Sequence, residues 1–195
     1  MRWLLSALVL WSVLLAGGCV SGSGEVIGRS SQEKPSWAAG ELEEEPNDLV
    51  LAPFHKSEVY RLELGMKQAQ AEALAGSKEL LMGRVRRDIT KRAVAVLEGE
   101  TVGYSGYFDQ VVADIARSFE RPDAKVYRTY YEEVRRETSS GEQVSYDVYI
   151  LVAIPASLYA EAMDRVGNTF LKSNKESIKK LGREILASMS SDSEG

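Results

Sequence analysis

The chain has 195 residues, is 44% hydrophobic and 27% charged, and carries a formal net charge of −5. That suffices for one globular domain with tails, and a mildly acidic chain is a poor binder of nucleic acid through bulk electrostatics. One cysteine, Cys19, and one histidine, His55, exclude an intramolecular disulfide and leave almost no inventory for a Cys/His metal site or a Cys–His or Ser–His pair. No catalytic, metal or cofactor-binding residue is therefore assigned, and the expectation is a non-enzymatic protein without a cofactor.

Residues 1–18 read as an export signal. Met1-Arg2 is a short positive region, and Trp3–Ala16 is apolar apart from Ser6 and Ser12. This run is shorter than the roughly 20 residues of a membrane-spanning helix and suits a signal-peptide core. Ala16-Gly17-Gly18 are small enough for an extended chain to enter a peptidase site, and Cys19 follows directly.

Leu15-Ala16-Gly17-Gly18-Cys19 resembles the lipobox of bacterial lipoproteins, with Ala16 standing where such sites usually carry leucine. The resemblance implies acylation of Cys19, which becomes the mature N-terminus and the membrane anchor. Val20 rather than Asp after the cysteine implies the outer membrane, with the periplasmic face as the default.

Residues 19–36 are rich in Ser and Gly and are expected to form a flexible tether. Pro35-Ser36-Trp37 is the first sign of order, a bend followed by an aromatic suited to docking on the domain. Glu41–Asp48 reads as a solvated acidic loop, since its carboxylates lack calcium-loop spacing. Leu49-Val50-Leu51 is a short edge strand before Pro53, and the lone His55 is structural.

A domain is expected over 37–171, followed by a helical extension over 172–187 and a disordered tail over 188–195. The Ala-rich stretch from Met66, then Leu81, Val85, Ile89 and Ala93 at spacing four, predict a helix over 66–97. The competing reading stops it near Gly83 and turns the chain into a strand. Arg84, Arg86, Arg87, Lys91 and Arg92 are read as a solvated basic face. Phe108, Val111, Val112, Ile115 and Phe119 predict a second helix over 107–119, ended by Arg121-Pro122-Asp123.

The clearest pattern is the alternation of Val144, Tyr146, Val148, Ile150, Val152 and Ile154, which predicts a strand with the even positions in the core. Lys125–Glu137 is its partner in a hairpin over 125–154, turned at Thr138–Glu142. Tyr127, Tyr130, Tyr131, Tyr146 and Tyr149 are read as cross-strand packing, with a stacking site for lipid or saccharide as the alternative. Pro155 fits the first turn of a helix. Tyr159, Met163, Val166 and Phe170 form a stripe that closes over the sheet, resumed by Ile178, Leu181, Ile185 and Leu186, so helix is expected over 156–187. The polar Lys172-Ser173-Asn174-Lys175 segment between them makes the second half either a separate helix or an extension that meets a partner. The fold class is α+β, a small antiparallel sheet packed by these helices.

Pro35-Ser36-Trp37, Ala71-Glu72-Ala73-Leu74, Lys78-Glu79-Leu80, Tyr130-Tyr131-Glu132 and Tyr149–Pro155, in this order, resemble the family of small bacterial outer-membrane lipoproteins that includes a lipoprotein of the flagellar basal disc. The resemblance covers about residues 35–160 and implies a compact, non-catalytic domain tied to the outer membrane, in some members assembled into rings. Its implied partners are the membrane, through acylated Cys19, unidentified envelope proteins and further copies of itself, but not nucleic acid. A ligand carrier and a regulator of a cell-wall synthase are the alternatives.

Overall fold

The computed structural model describes residues 24–41, 46–97 and 103–191. Cys19, the export segment, most of the acidic run and the last four residues lie outside the described residues. Four strands, β1 (Glu25–Arg29), β2 (Leu49–Val59), β3 (Lys125–Thr138) and β4 (Gly141–Pro155), form one antiparallel sheet in the order β1-β3-β4-β2. Five helices accompany it: α1 (Leu62–Ala75), α2 (Ser77–Val96), α3 (Ser105–Ser118), α4 (Ala156–Leu171) and α5 (Glu176–Ser191). The α+β class read from the sequence is what the chain adopts.

The hairpin is the axis of the fold. Thr138 and Gly141 face each other across a two-residue turn, where Gly141 takes φ +113, a left-handed conformation that glycine adopts without a Cβ clash. Thr138 Oγ1 donates to the Gly141 carbonyl at 2.8 Å and ties the turn shut. The even positions Val148, Ile150, Val152 and Ile154 join the helix-side core, while Val144, beyond the reach of the helices, is exposed. The odd positions Leu151 and Ala153 are buried as well, because Trp37, on a short 3-10 turn (Ser36–Ala39), covers the opposite face. Both faces of this end of the sheet are therefore dry.

Several expectations need correction. The tether reading of 19–36 fails at Glu25–Arg29, which is a strand paired with β3. Backbone pairing to an existing strand supplies what its side chains, mostly exposed, do not. The short edge strand at 49–51 runs through Pro53 and His55 to Val59; β2 is the outermost strand, so the missing proline N–H costs no internal ladder bond. The single helix over 66–97 is two, divided at Gly76, and no strand begins at Gly83. Burial of Leu81, Met82, Val85, Ile89 and Ala93 holds α2 together through that glycine.

Over 156–187 the chain takes the separate-helix alternative, α4 and α5, and the second part is no extension. Ile178, Leu181 and Ile185 of α5 are buried in the main core, and α5 continues to Ser191, into the region expected to be tail. The α3 stripe Phe108, Val111, Val112, Ile115 and Phe119 is buried as its spacing predicted. Pro155 ends β4 and caps α4 rather than occupying its first turn.

The α4–α5 crossing depends on two glycines. A Cβ on Gly182 would lie 2.9 Å from the Gly167 carbonyl oxygen and 3.2 Å from the Leu171 nitrogen, both backbone atoms that cannot swing aside. Gly83, by contrast, has only the tip of Arg87 within 4.0 Å. Gly182→Ala should thus destabilise the domain by about 1–3 kcal/mol, whereas Gly83→Ala should stabilise it by about 1 kcal/mol through helix propensity. Thermal unfolding followed by circular dichroism tests the opposite signs.

Candidate functional site

The densest polar arrangement lies on the sheet face away from the helices. Residues alternate along a strand, so Tyr130, Glu132, Val134 and Arg136 of β3 share this face with Ser145, Asp147 and Tyr149 of β4. Tyr130 stands opposite Tyr149, which stands opposite His55 of β2; Glu132 stands opposite Asp147. Two carboxylates thus occupy one cross-strand row, and like charges so placed repel unless each is neutralised.

Each has its own cation. Arg136 reaches both Asp147 oxygens at 2.9 Å and donates to Ser145 Oγ at 2.5 Å. Glu132, only 5% exposed, takes Lys34 Nζ at 3.0 Å and Arg29 Nε at 3.5 Å, and accepts hydrogen bonds from Tyr130 Oη at 3.1 Å and Tyr149 Oη at 3.3 Å. Lys34 also donates to Tyr149 Oη at 2.8 Å and sits 4.2 Å from that ring's centroid. The two cations on Glu132 come from β1 and from the segment between β1 and Trp37. That segment is a strap laid across the sheet, held by ion pairs at Glu132 and by Trp37 beyond.

The titration behaviour matches a holding role. Burial lowers the Lys34 pKa, but hydrogen bonds to Tyr149 and Glu132 and their charges outweigh it and leave it raised. Burial, then the hydrogen bond and charge of Glu132, pushes Tyr130 up to about 12. Tyr149 is raised by burial against the opposing pull of Lys34. Burial lowers the His55 pKa, with Lys34 and Arg136 acting in the same direction against Asp147, and the ring stacks on Tyr149 at 4.5 Å and 17°.

The five tyrosines of the stacking alternative do not converge. Tyr131 and Tyr146 face the helices and meet edge to face at 6.1 Å, Tyr130 and Tyr149 face the strap, and Tyr127 is exposed beside the irregularity between Val126 and Arg128. A cleft of about 430 Å³ between the end of α3 and α4 is lined by Phe119, Arg121, Leu158 and Arg165, and by none of these rings. Among the described residues no cluster of three His, Cys, Asp or Glu side chains is placed to hold a metal. The basic face of α2 is divided among several partners: Arg84 pairs with Asp88, Arg86 with Asp109, and Arg92 donates to Ser188. Tyr159 Oη donates to the same Asp88 at 2.8 Å and pins α4 to α2.

Sequence reasoning missed Arg29, Lys34, Glu132 and Asp147. Its available signal was the polar alternation Tyr130-x-Glu132-x-x-x-Arg136 in a strand whose other face is core, which asks for buried counter-charges. Comparison of the chain with known protein families, characterised proteins and solved structures finds no match.

Lys34→Met should cost about 1–3 kcal/mol, because Glu132 stays buried with fewer donors. Hydrogen exchange should accelerate in residues 25–41 more than in α4. Alkaline stability should change too. A group whose pKa is raised on folding stabilises the fold below its unfolded value and ceases to do so as pH rises through its folded value. Tyr130 therefore contributes stability at neutral pH that is lost between about pH 10 and 12. Tyr130→Phe should flatten the fall in stability across that window, measured by denaturant unfolding against pH.

Proposed function

We propose that this chain is a lipid-anchored envelope protein, held at the outer membrane through acylated Cys19, that serves as a non-enzymatic structural or protein-interaction module. The observation that carries the reading is the position of the chain's single cysteine, directly after an apolar run and three small residues. Cys19 lies outside the described residues, so its chemistry rests on that sequence pattern. Each buried methylene of an acyl chain contributes about 0.8 kcal/mol, and two or more chains make attachment stable. Among the described residues no helix is long and apolar enough to cross a membrane.

The resemblance to small outer-membrane lipoproteins supports a module that assembles with envelope proteins or with copies of itself, flagellum-associated or ring-forming. The mutual neutralisation of the buried charged groups around Glu132 supports a role without catalysis. Regulation of a cell-wall synthase belongs to the same class of function. The ligand-carrier alternative loses ground, because its tyrosines are divided between two faces of the sheet.

Fractionation of cells expressing the native chain and Cys19→Ala tests the anchor. The native protein should sediment with the outer membrane and incorporate labelled fatty acid, and the variant should do neither. A variant that still sediments with the membrane overturns the reading. Purification of the native protein from its own membrane should recover an envelope protein or further copies of the chain.

A further inference from the structure

The N-terminal strand fixes which end of the domain lies nearest the proposed anchor. Glu25 opens β1 and stands opposite Arg135, which stands opposite Val144 beside the hairpin turn. At the other edge of the sheet, Val59 stands opposite Tyr146, and the chain there leaves β2 for the first turn of α1. The start of β1, the hairpin tip and the β2–α1 corner therefore share one end of the sheet, about 14 Å wide by strand spacing.

Only five peptide units separate Cys19 from Gly24, and whatever their conformation they reach at most about 18 Å. A chain anchored at Cys19 holds this end against the bilayer, where the flexible-tether reading would have let the domain roam.

The side chains displayed there suit that position. Of nine exposed large hydrophobic side chains among the described residues, five are at this end: Val26, Ile27, Tyr60, Leu64 and Val144. Tyr60 is 58% and Leu64 49% exposed, and they flank a shallow cleft of about 250 Å³ at the β2–α1 corner. A tyrosine, apolar in body and polar at its tip, is suited to the headgroup region. Arg135 lies 3.3 Å from Glu25 and 4.0 Å from Glu142, one cation shared by two carboxylates, so these charges offer no basic patch to the bilayer.

We infer that the hairpin end, through Tyr60, Leu64 and Val144, rests on the lipid headgroup surface beside the anchor and orients the domain on the membrane. The inference rests on acylation of Cys19 and adds to it a contact surface. The contact is apolar and interfacial rather than electrostatic, so it persists at high salt.

Acylation occupies the sulfur of Cys19, so one introduced cysteine is the only free thiol of the mature protein. The acylated full chain carrying Leu64→Cys, Val144→Cys or Tyr127→Cys, each at an exposed position, is labelled with a fluorophore. Each is placed, one chain per disc, in nanodiscs of phosphatidylethanolamine and phosphatidylglycerol bearing a headgroup-attached quencher. Tyr127 lies eight residues along β3 from Arg135, about 26 Å farther from the proposed contact. Labels at 64 and 144 should be quenched at least about twofold more than the label at 127, with no loss at high salt, as the roughly 26 Å separation requires. Equal quenching at the three positions in disc-bound protein, or a difference that vanishes at high salt, overturns the contact and leaves the anchor standing. Protein that fails to stay with the discs overturns the anchor and the contact together.

Discussion

A carboxylate buried in a β-sheet has to be neutralised where it stands, and Glu132 imposes that requirement on the rest of the outer face. Two of its partners, Tyr130 and Tyr149, come from the hairpin itself, but their phenols carry no compensating charge. The cations come from Arg29 and Lys34, outside the hairpin and about a hundred residues earlier in the chain. β1 and the strap deliver both cations to Glu132 while Trp37 reaches Leu151 and Ala153 on the same face. Isolated surface ion pairs contribute little, but removing the cations here would leave a buried charge without compensation.

The helix side is governed by volume instead of charge. Its core is continuous from Val148, Ile150, Val152 and Ile154 through the buried faces of all five helices. Space is tightest where α5 crosses α4, at Gly167 and Gly182, and this close approach brings Ile178, Leu181 and Ile185 into the same core. The polar pin between these layers is Asp88, which accepts from both Arg84 and Tyr159 and fixes the rotation of α4 on α2. The two faces of the sheet thus rest on different physics, close packing below and paired charge above.

This difference decides what was legible in the sequence. Periodicity reports which side chains avoid water, and so α3, the β3–β4 hairpin and the α4 stripe were readable from spacing alone. It does not report pairing between distant segments. The stretch around Glu25–Arg29 has few large apolar residues and reads as tether, yet it is a strand because β3 offers it an open edge. Lys34 lies inside the stretch read as tether, although it answers a carboxylate 98 residues away. Gly76 and Gly83 carried equal weight against a long helix, and only the packed environment of α2 distinguished them. Val144 fitted the strand alternation but lies past the last helix that might cover it.

The strap's attachment also dictates how it can open. Most side chains of β1 are exposed, so residue-by-residue fraying from Glu25 loses little apolar burial at first. Fraying reaches a barrier at Arg29 and Lys34, where release exposes Glu132 to incomplete compensation, and a second at Trp37, only 3% exposed over Leu151 and Ala153. These two contacts lie a few residues apart on one segment, and Tyr130, on the row between theirs, belongs to both: its ring packs in the Trp37 cluster and its hydroxyl binds Glu132. Loss of one loosens the other, so the strap behaves as a cooperative unit of local unfolding.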